Sequence, residues 1–318
     1  MGSTYSTLYP WFLVKKNPLM TCPICNKISN PTRSYLPRFV CCNICKGHFL
    51  KRKVKANYPE EYFDQKGASS ILSMLFSPFL EFLLYLKVQN IISQVCVRKP
   101  QILDYGCGSG KLIEALLKKQ ITATGYEPSL GALSITKRKK LPVFNQLKKA
   151  KGGYDLVMFW HSLEHVSSPY QVMTVIKKLL SKQGKVLVAI PNGDSWEAEI
   201  AREKWFHYSY PLHVIHFTPK SVKMMLENAG FKNIKIDFFN PEYTISGLLQ
   251  TFLNLFFPND VLYSVVTHRR LSMPLFSALI YSFLSVILAV FFSPFLILIF
   301  ALQLIFRKSG AMVIIAKS

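Results

Sequence analysis

The sequence predicts an α/β fold, and three patterns along the chain lead to that prediction. The short apolar strand Ile102-Leu103 runs into a glycine loop, residues 106–110, and then into a helix with one apolar face. A second apolar strand, residues 121–126, follows that helix, and a last apolar, β-branched strand is expected at residues 311–316. Strands that alternate with helices in this way are typical of a mainly parallel sheet.

Composition limits the classes of partner. The chain has 318 residues, enough for one main domain and a small accessory module. Its formal net charge of +22 indicates a nucleic-acid partner or an anionic membrane surface, although basic clusters such as residues 137–140 also fit solvated helix ends. Apolar residues concentrate in residues 272–306 and in a shorter helical segment, residues 71–86, which we expect Pro78 to break. The first residues lack a secretory signal pattern, which predicts a cytoplasmic protein.

Two CxxC pairs near the start of the chain predict a zinc ribbon within residues 1–56. The ligands would be Cys22, Cys25, Cys42 and Cys45, and the spacer between the pairs is in the range of such modules. Four thiolates leave no open coordination position for water, so we expect the zinc to be structural. Two disulfides are the alternative, which a reducing compartment and the CxxC geometry disfavour. His48 is a substitute ligand candidate, but we expect it to lie at the surface.

The glycine loop favours a cofactor that has no pyrophosphate. Its third glycine, Gly110, comes one position too early for the dinucleotide fingerprint, and the sequence has no Walker lysine there. Glu127 lies about twenty residues further on, where an acid accepts hydrogen bonds from both ribose hydroxyls. A cofactor whose amino-acid portion and ribose both need acidic partners therefore fits Asp104 and Glu127.

Several segments of the chain resemble the class I S-adenosylmethionine-dependent methyltransferases, in particular the branch of ubiquinone-pathway O-methyltransferases. They are, in chain order, residues 103–110, 125–127, 154–157, 163–166, 184–188 and 227–231. The resemblance implies a methyltransferase domain over residues 57–318, with a seven-stranded Rossmann-like sheet and S-adenosylmethionine over the ends of its first strands. The residues that it assigns to cofactor binding are Asp104, Tyr105, Gly106, Cys107, Gly108, Glu127, Pro128 and Trp160. In that arrangement Asp104 helps to hold the amino group of the methionine portion, and Glu127 holds the ribose.

Three histidines are candidate bases for a methyl transfer. Such a transfer is an in-line displacement on an activated carbon, so the protein has to position the nucleophile and remove its proton. The candidates are His161 and His165, which follow the predicted fourth strand, and His213, which matches a Pro-x-His pattern of the resembled branch. The structural alternatives are that His165 caps the next helix and that His213 packs a lid.

The segment after the fourth strand also bears on a metal and on the acceptor atom. Some ubiquinone-type relatives hold a divalent metal with a carboxylate, a glutamate and a histidine at the spacing at which this chain has His161, Glu164 and His165. Nucleobase amino-methylases of the resembled fold carry an Asn/Asp-Pro-Pro-aromatic tetrad after that strand, whereas residues 159–162 are Phe-Trp-His-Ser. The sequence therefore favours an oxygen acceptor.

An apolar insertion interrupts the end of the predicted sheet. In the resembled fold the last strand is antiparallel and lies between the fifth and sixth strands, so residues 241–308 would be inserted between the last two strands. Two full membrane spans need about forty apolar residues, and residues 272–306 supply fewer, with a plausible reversal at Ser293-Pro294. Basic pairs at residues 269–270 and 307–308 place both ends on the cytoplasmic side. We expect a re-entrant or interfacial helical hairpin; a buried helix pair or a dimerisation arm is the alternative.

Together these features predict a methyltransferase on the cytoplasmic face of a membrane. The acceptor would be a membrane-associated molecule, such as a lipid-linked sugar, a surface glycan or a quinone precursor, and the lipid bilayer would be a partner through the apolar hairpin. A nucleic-acid partner is disfavoured. The first alternative is an RNA methyltransferase that uses the zinc ribbon and the basic surface, and the second is a non-catalytic binding protein that retains the cofactor fold.

Overall fold

The computed structural model describes residues 19–51, 71–95, 97–240, 242–267 and 273–318. Its strands are β1 (Met20–Thr21), β2 (Ile28–Ser29), β3 (Thr32–Arg33), β4 (Phe39–Cys41), β5 (His48–Leu50), β6 (Gln101–Tyr105), β7 (Thr122–Tyr126), β8 (Val143–Phe144), β9 (Tyr154–Trp160), β10 (Leu180–Pro191), β11 (Ile215–His216), β12 (Lys232–Asp237) and β13 (Ala311–Lys317). Its α-helices are α1 (Ile71–Ser93), α2 (Lys111–Lys118), α3 (Leu130–Arg138), α4 (Pro169–Leu179), α5 (Trp196–Ala201), α6 (Pro219–Asn228), α7 (Tyr243–Phe256), α8 (Val261–Val266), α9 (Leu275–Phe291) and α10 (Ser293–Ile305).

The central sheet has seven strands in the order β12-β13-β10-β9-β6-β7-β8. Neighbours from β10 to β8 pair in parallel, and β13 pairs antiparallel with both β10 and β12. This confirms the predicted α/β fold and the position of the last strand. Because parallel strands end at one edge of the sheet, the carboxyl ends of β6, β7 and β9 lie together, and the glycine loop follows β6 at that edge.

The sheet is buried on both faces, which explains why its central strands are apolar runs. Leu156 and Met158 of β9 belong to one buried cluster, together with Ile113 of α2. Val157 and Phe159 of the same strand belong to a second cluster on the other face. Side chains alternate between the faces of a strand, so a strand covered on both sides has no polar face to show in its sequence.

The cysteine-containing segment is joined to the rest of the chain through a shared small sheet. Strands β3, β4 and β5 continue into β11, with Phe49 opposite Ile215. The Tyr35 hydroxyl donates to the Gly193 carbonyl, and the Asn228 side chain donates to the Cys25 carbonyl at 2.8 Å. The segment therefore packs into the main core. The predicted boundary at residues 56 and 57 lies outside the described residues.

The insertion begins with α7 and α8 and ends with the helix pair α9 and α10. The pair breaks at Phe292, next to the predicted Ser293-Pro294 reversal, and bends by 71°. Within the described ranges no single helix is long and apolar enough to cross a bilayer. The two helices of the bent pair, taken together, have the length and the apolar composition of a membrane-spanning segment. The basic pair at residues 269–270 lies outside those ranges.

The expectation that Pro78 breaks its helix was wrong. Helix α1 runs through Pro78 and continues to Ser93. A proline inside a helix removes one backbone hydrogen bond and adds a local clash, and a long helix packed against neighbours tolerates that cost. The C-terminal part of α1 is held in the core, where Val88 and Ile91 are buried with α2.

Candidate active site

The glycine loop brings bare backbone to the carboxyl end of the sheet. Gly106 has φ 77°, and a Cβ atom placed on it would lie 2.6 Å from the Cβ of Ser162. Ser162, the second residue after β9, in turn donates its hydroxyl to the Tyr105 carbonyl at 2.6 Å, which links the end of β6 to the segment after β9. A side chain at position 106 would therefore be both strained and in collision with Ser162, so the close approach of the loop to Ser162 requires glycine.

Glu127 closes the loop from the end of β7. One carboxylate oxygen accepts from the Gly108 amide and the other from the Ser129 amide, both at 2.8 Å. Burial raises the pKa of Glu127, and these two amide donors act in the opposite direction. Each carboxylate oxygen has a second lone pair, so Glu127 retains the capacity to accept from two ribose hydroxyls.

Asp104 is the second buried acid of the cradle, at 3% exposure near the end of β6. Burial raises its pKa to about 7, with Lys87 lowering the pKa and Glu127 adding to the rise. A buried carboxyl in this state gains from a cationic partner, since an ammonium group favours the ionised form. That property suits the amino group of a methionine moiety.

The other predicted cofactor residues differ in what they can offer. The Tyr105 ring is buried against Tyr126 and Phe159, with ring centroids 4.7 and 4.5 Å away, so its backbone rather than its ring faces the loop. Cys107 is half-buried in the loop, and burial raises the pKa of its thiol. Pro128 is exposed after Glu127.

Trp160, at the end of β9, contacts two residues that the sequence patterns did not single out. Its indole nitrogen donates to Glu242 at 3.1 Å, and Lys87 lies 3.4 Å from the same carboxylate oxygen and 4.2 Å from the Trp160 ring centroid. Lys87 comes from α1 and Glu242 from the start of the insertion. These contacts join distant parts of the chain, so no local motif could have indicated them.

Glu164 is the centre of the histidine cluster and is fully buried. His161 Nδ1 lies 3.3 Å from its Oε1, and His213 Nε2 lies 3.9 Å from the same atom. Burial alone would raise the pKa of Glu164, but His161, and then His165 and His213, lower it to about 2. Neither carboxylate oxygen has a hydrogen-bond partner of good geometry among the described residues. A buried, ionised and unsatisfied carboxylate indicates a site for a ligand.

The metal set predicted from the spacing needs one correction. The group whose ligand atoms all lie within 4.8 Å of one another is Glu164, His165 and His213, so His213 takes the place expected for His161. His161 has φ 50°, and its ring lies 3.6 Å from that of Tyr243, at the start of α7. The left-handed backbone after β9 thus directs this ring toward the insertion, which the spacing alone does not reveal.

Two histidines of the cluster are held in a defined tautomer. His213 Nδ1 lies 2.7 Å from the His207 carbonyl, and His165 Nδ1 lies 2.9 Å from the Leu212 carbonyl. Carbonyl oxygens only accept, so both Nδ1 atoms carry the protons and both Nε2 atoms are left as acceptors when the rings are neutral. Burial lowers the pKa of His213 to about 3, so its ring is neutral at pH 7. Such an Nε2 atom suits a base or a metal ligand.

The helix-capping alternative for His165 is not what the structure has. His165 closes a short 3-10 turn, Leu163–His165, and the residue at the N-cap of α4 is Ser168. The lid-packing alternative for His213 is compatible with its burial, but it leaves the Nε2 atom beside Glu164 unexplained.

The four predicted zinc ligands come together in one buried cluster. The sulfurs of Cys22 and Cys45 are 3.8 Å apart, and those of Cys25 and Cys42 are 3.9 Å apart. Zinc–sulfur bonds of about 2.3 Å in a regular tetrahedron separate the sulfurs by about 3.8 Å. The geometry therefore fits zinc, and it is too wide for disulfides, whose sulfurs are about 2.05 Å apart.

His48 was expected at the surface, and that expectation was wrong. The residue is buried, and its Nδ1 lies 2.8 Å from the Ser34 hydroxyl. Its ring packs edge-on against Tyr35 at a centroid distance of 4.9 Å. His48 is thus a core residue of the small sheet, and burial lowers its pKa to about 4.

Comparison with known proteins agrees with this geometry. Residues 77–236, half of the chain, match a family model described as a methyltransferase domain. The ubiquinone biosynthesis O-methyltransferase of Escherichia coli O9:H4 (strain HS) is 27% identical over 133 residues, which are 38% of this chain and 52% of that protein. The enzyme of the same name from Escherichia coli K12 (DH10B) is 30% identical over 109 residues, 30% of this chain and 45% of that protein.

A solved S-adenosylmethionine-dependent methyltransferase from Archaeoglobus fulgidus has a TM-score of 0.47 and 17% identity, and the match covers 78% of this chain and all of that one (100%). The chain spans about half the length of the curated relatives that it matches. With its sheet order, glycine loop and acidic cradle, the chain belongs to the methyltransferase-domain family.

Proposed function

We propose that this protein is an S-adenosylmethionine-dependent methyltransferase that methylates an oxygen atom of a membrane-associated acceptor, and that it does so from the cytoplasmic face of the membrane. The observation that carries the proposal is the apolar surface of α9 and α10. Phe276, Phe283 and Phe291 are 75%, 67% and 77% exposed. Soluble proteins seldom expose a contiguous apolar surface of this kind, and a lipid surface would cover it.

The apolar helices belong to the same insertion that reaches the active site. Glu242 and Tyr243, at its start, contact Trp160 and His161. An insertion that binds lipid would therefore hold the reaction centre near the bilayer. Confinement to that surface raises the effective concentration of an acceptor that resides there. The net charge of +22 agrees with attraction to anionic lipid head groups.

In the proposed reaction the acceptor hydroxyl attacks the methyl carbon of S-adenosylmethionine. The O–CH₃ bond forms as the bond from that carbon to the sulfonium breaks, which leaves S-adenosylhomocysteine and a methyl ether. The hydroxyl proton passes to a base, and the neutral Nε2 of His213 beside Glu164 is our choice, with His161 and His165 as the remaining candidates. If Glu164, His165 and His213 instead hold a divalent cation, that ion would supply polarisation of the acceptor oxygen, and His213, as a ligand, would not be the base.

We also propose a structural zinc ion on Cys22, Cys25, Cys42 and Cys45. All four thiols are buried and meet the sulfur spacing of a tetrahedral site. A hydrogen bond with the Cys22 side chain lowers the pKa of Cys25 to about 7, whereas hydrogen bonds within the cluster and burial raise the pKa values of Cys22 and Cys45. Zinc binding would therefore release protons from the site.

The acceptor class is tested by incubating the full chain with radiolabelled S-adenosylmethionine and separate lipid, glycan and RNA extracts. We expect label in the lipid or lipid-linked glycan fraction. We expect no label with Glu127→Ala, which removes the carboxylate that would bind the ribose hydroxyls of the cofactor. Label in RNA would instead support the RNA methyltransferase alternative. No label in any fraction, with cofactor binding intact by calorimetry, would support the non-catalytic alternative.

A further inference from the structure

A large cavity lies between α1 and the helices of the insertion. Its volume is about 1090 Å³, which is above the range of about 300–1,000 Å³ for small-molecule sites. Apolar side chains make most of its wall, among them Leu84 of α1, Leu248 of α7, Leu262 of α8 and Phe300 of α10. The central sheet contributes little to this wall, so the cavity is formed mainly by the insertion and α1.

One part of the wall is polar and adjoins the cofactor cradle. Lys87, Lys111 and Glu242 line it. Lys111 is the first residue of α2, directly after the glycine loop, and Lys87 and Glu242 contact Trp160 at the end of β9. Lys87 also affects the pKa of Asp104, which places its charge close to the cradle. A molecule in the cavity would thus present its polar end to the methyl donor.

Another part of the wall consists of apolar side chains that are open to the outside. Ile245, Val290 and Ile297 line the cavity and are 51%, 68% and 66% exposed. Val290 and Ile297 lie on either side of the break between α9 and α10. An opening rimmed by such residues is unfavourable in water and favourable against hydrocarbon. A ligand would therefore enter the cavity from the bilayer.

We infer that this cavity binds the hydrocarbon chain of the methyl acceptor, with the acceptor's head group at Lys87, Glu242 and Trp160. A hydrocarbon chain is the expected occupant because the cavity has an apolar wall, an opening rimmed by exposed apolar side chains and a polar end next to the cofactor cradle. A sugar, nucleotide or peptide would leave its polar groups unpaired against the apolar wall. The inference rests on the proposed function in one respect, namely that the acceptor resides in the membrane.

The test uses two alanine-to-phenylalanine variants of the full chain in lipid nanodiscs. Ala289 of α9 lines the cavity, so Ala289→Phe fills part of it. Ala301 of α10 is exposed and is not among the lining residues, so Ala301→Phe makes the same change on the outer surface. The probes are a photoreactive palmitate and a photoreactive farnesol, which separate an acyl chain from a prenyl chain. Calorimetry with S-adenosylhomocysteine verifies that both variants are folded.

We expect the probe that resembles the natural chain to label peptides of α1 and α7, including Leu84 and Leu248. Ala289→Phe should reduce this labelling about tenfold, which corresponds to a loss of about 1.4 kcal/mol in binding free energy. Ala301→Phe should leave the labelling unchanged. Within a series of probes, each added CH₂ that fits should tighten binding about fourfold until the cavity is full. Equal labelling of α1 and α7 in the two variants would overturn the inference.

Methylation of the lipid extract separates this inference from the proposed function. If a lipid is methylated, Ala289→Phe should raise its KM about tenfold without changing the KM for S-adenosylmethionine. An unchanged KM would overturn the chain site and leave the lipid acceptor standing. If no lipid is methylated but Ala289→Phe still blocks labelling, the chain site stands and the proposed acceptor is wrong.

Discussion

Three buried carboxyl groups at the edge of the sheet differ in what they are prepared to bind. Glu127 accepts hydrogen bonds from two backbone amides. Burial raises the pKa of Asp104 to about 7, whereas the neighbouring histidines lower the pKa of Glu164 to about 2. The first suits hydroxyl donors, the second a cationic amine, and the third a metal ion or a protonated imidazole. These differences follow from local environment, since an aspartate and two glutamates have similar pKa values in water.

Cofactor affinity should depend on pH through Asp104. Its pKa is raised to about 7 by burial, and binding of an ammonium group requires the ionised form. Below pH 7 the ligand-free protein must release the Asp104 proton before it binds, so the affinity for S-adenosylhomocysteine should weaken as the pH falls, approaching tenfold per pH unit. Calorimetry between pH 5.5 and pH 8.5 (about three pH units) measures this. The isosteric Asp104→Asn should bind weakly with a flat profile, and a pH-dependent Kd in that variant would assign the effect to another group.

His213→Asn should lower kcat by about 10²–10⁴-fold and leave the Kd for the cofactor unchanged. The asparagine amide can still donate to the His207 carbonyl, as His213 Nδ1 does at 2.7 Å, but it offers no base. Single-turnover methyl transfer measures the chemical step. Because the pKa of His213 is about 3, this ring stays neutral from pH 7 down to about pH 5, and its titration should not change the kcat of the unmodified protein over that range. A normal kcat in the variant would move the role to His161 or His165.

At the scale of elements, the parts that the sequence predicted were those with local patterns. The glycine loop after β6, the acid after β7 and the CxxC turns each depend on a few neighbouring residues, and all lie where they were expected. The exchange of His161 for His213 in the cluster, and the contacts of Lys87 and Glu242 with Trp160, depend on how distant segments pack. Such contacts leave no periodicity or spacing in a single sequence.

Replacement of Cys22 with serine should release about one zinc ion per chain and also destabilise the methyltransferase domain. The reason is that β5 of the ribbon pairs with β11, and the Asn228 side chain of α6 binds the Cys25 carbonyl. Metal analysis and a thermal melt of the purified protein measure both effects. Unchanged metal content would refute the zinc site.

Gly47→Ala is a matched comparison that disturbs the same junction without touching a ligand. A Cβ atom there would lie 2.4 Å from Ile24 Cδ1 and 2.9 Å from Ser221 Cβ in α6. We expect it to lower the free energy of unfolding by about 1–3 kcal/mol while zinc is retained. Loss of zinc in this variant would mean that docking onto α6 is needed for the metal site itself.

For the whole molecule, three parts of the chain meet around one reaction centre. The ribbon supports β11, which lies a few residues beyond His213, the sheet carries the cofactor cradle, and the insertion supplies Glu242 and Tyr243. The insertion also presents most of the exposed large apolar side chains among the described residues. Membrane attachment and acceptor binding would then be properties of a single segment, which makes the attachment testable by changes far from the cradle.

Two substitutions, Phe276→Lys and Phe291→Lys, should move the protein from the membrane to the soluble fraction. Both side chains are about three-quarters exposed, at 75% and 77%, so neither change opens a core. Burial of one phenylalanine in hydrocarbon contributes about 1.5–3 kcal/mol, so each loss should weaken partition into vesicles about tenfold or more. Deletion of residues 273–306 should have the same effect. The matched control is Ile200→Lys on α5, which is 75% exposed but lies outside the insertion, and which should leave sedimentation with vesicles unchanged. If the double variant still sediments with vesicles while it binds cofactor normally, another surface of the protein attaches it to the membrane.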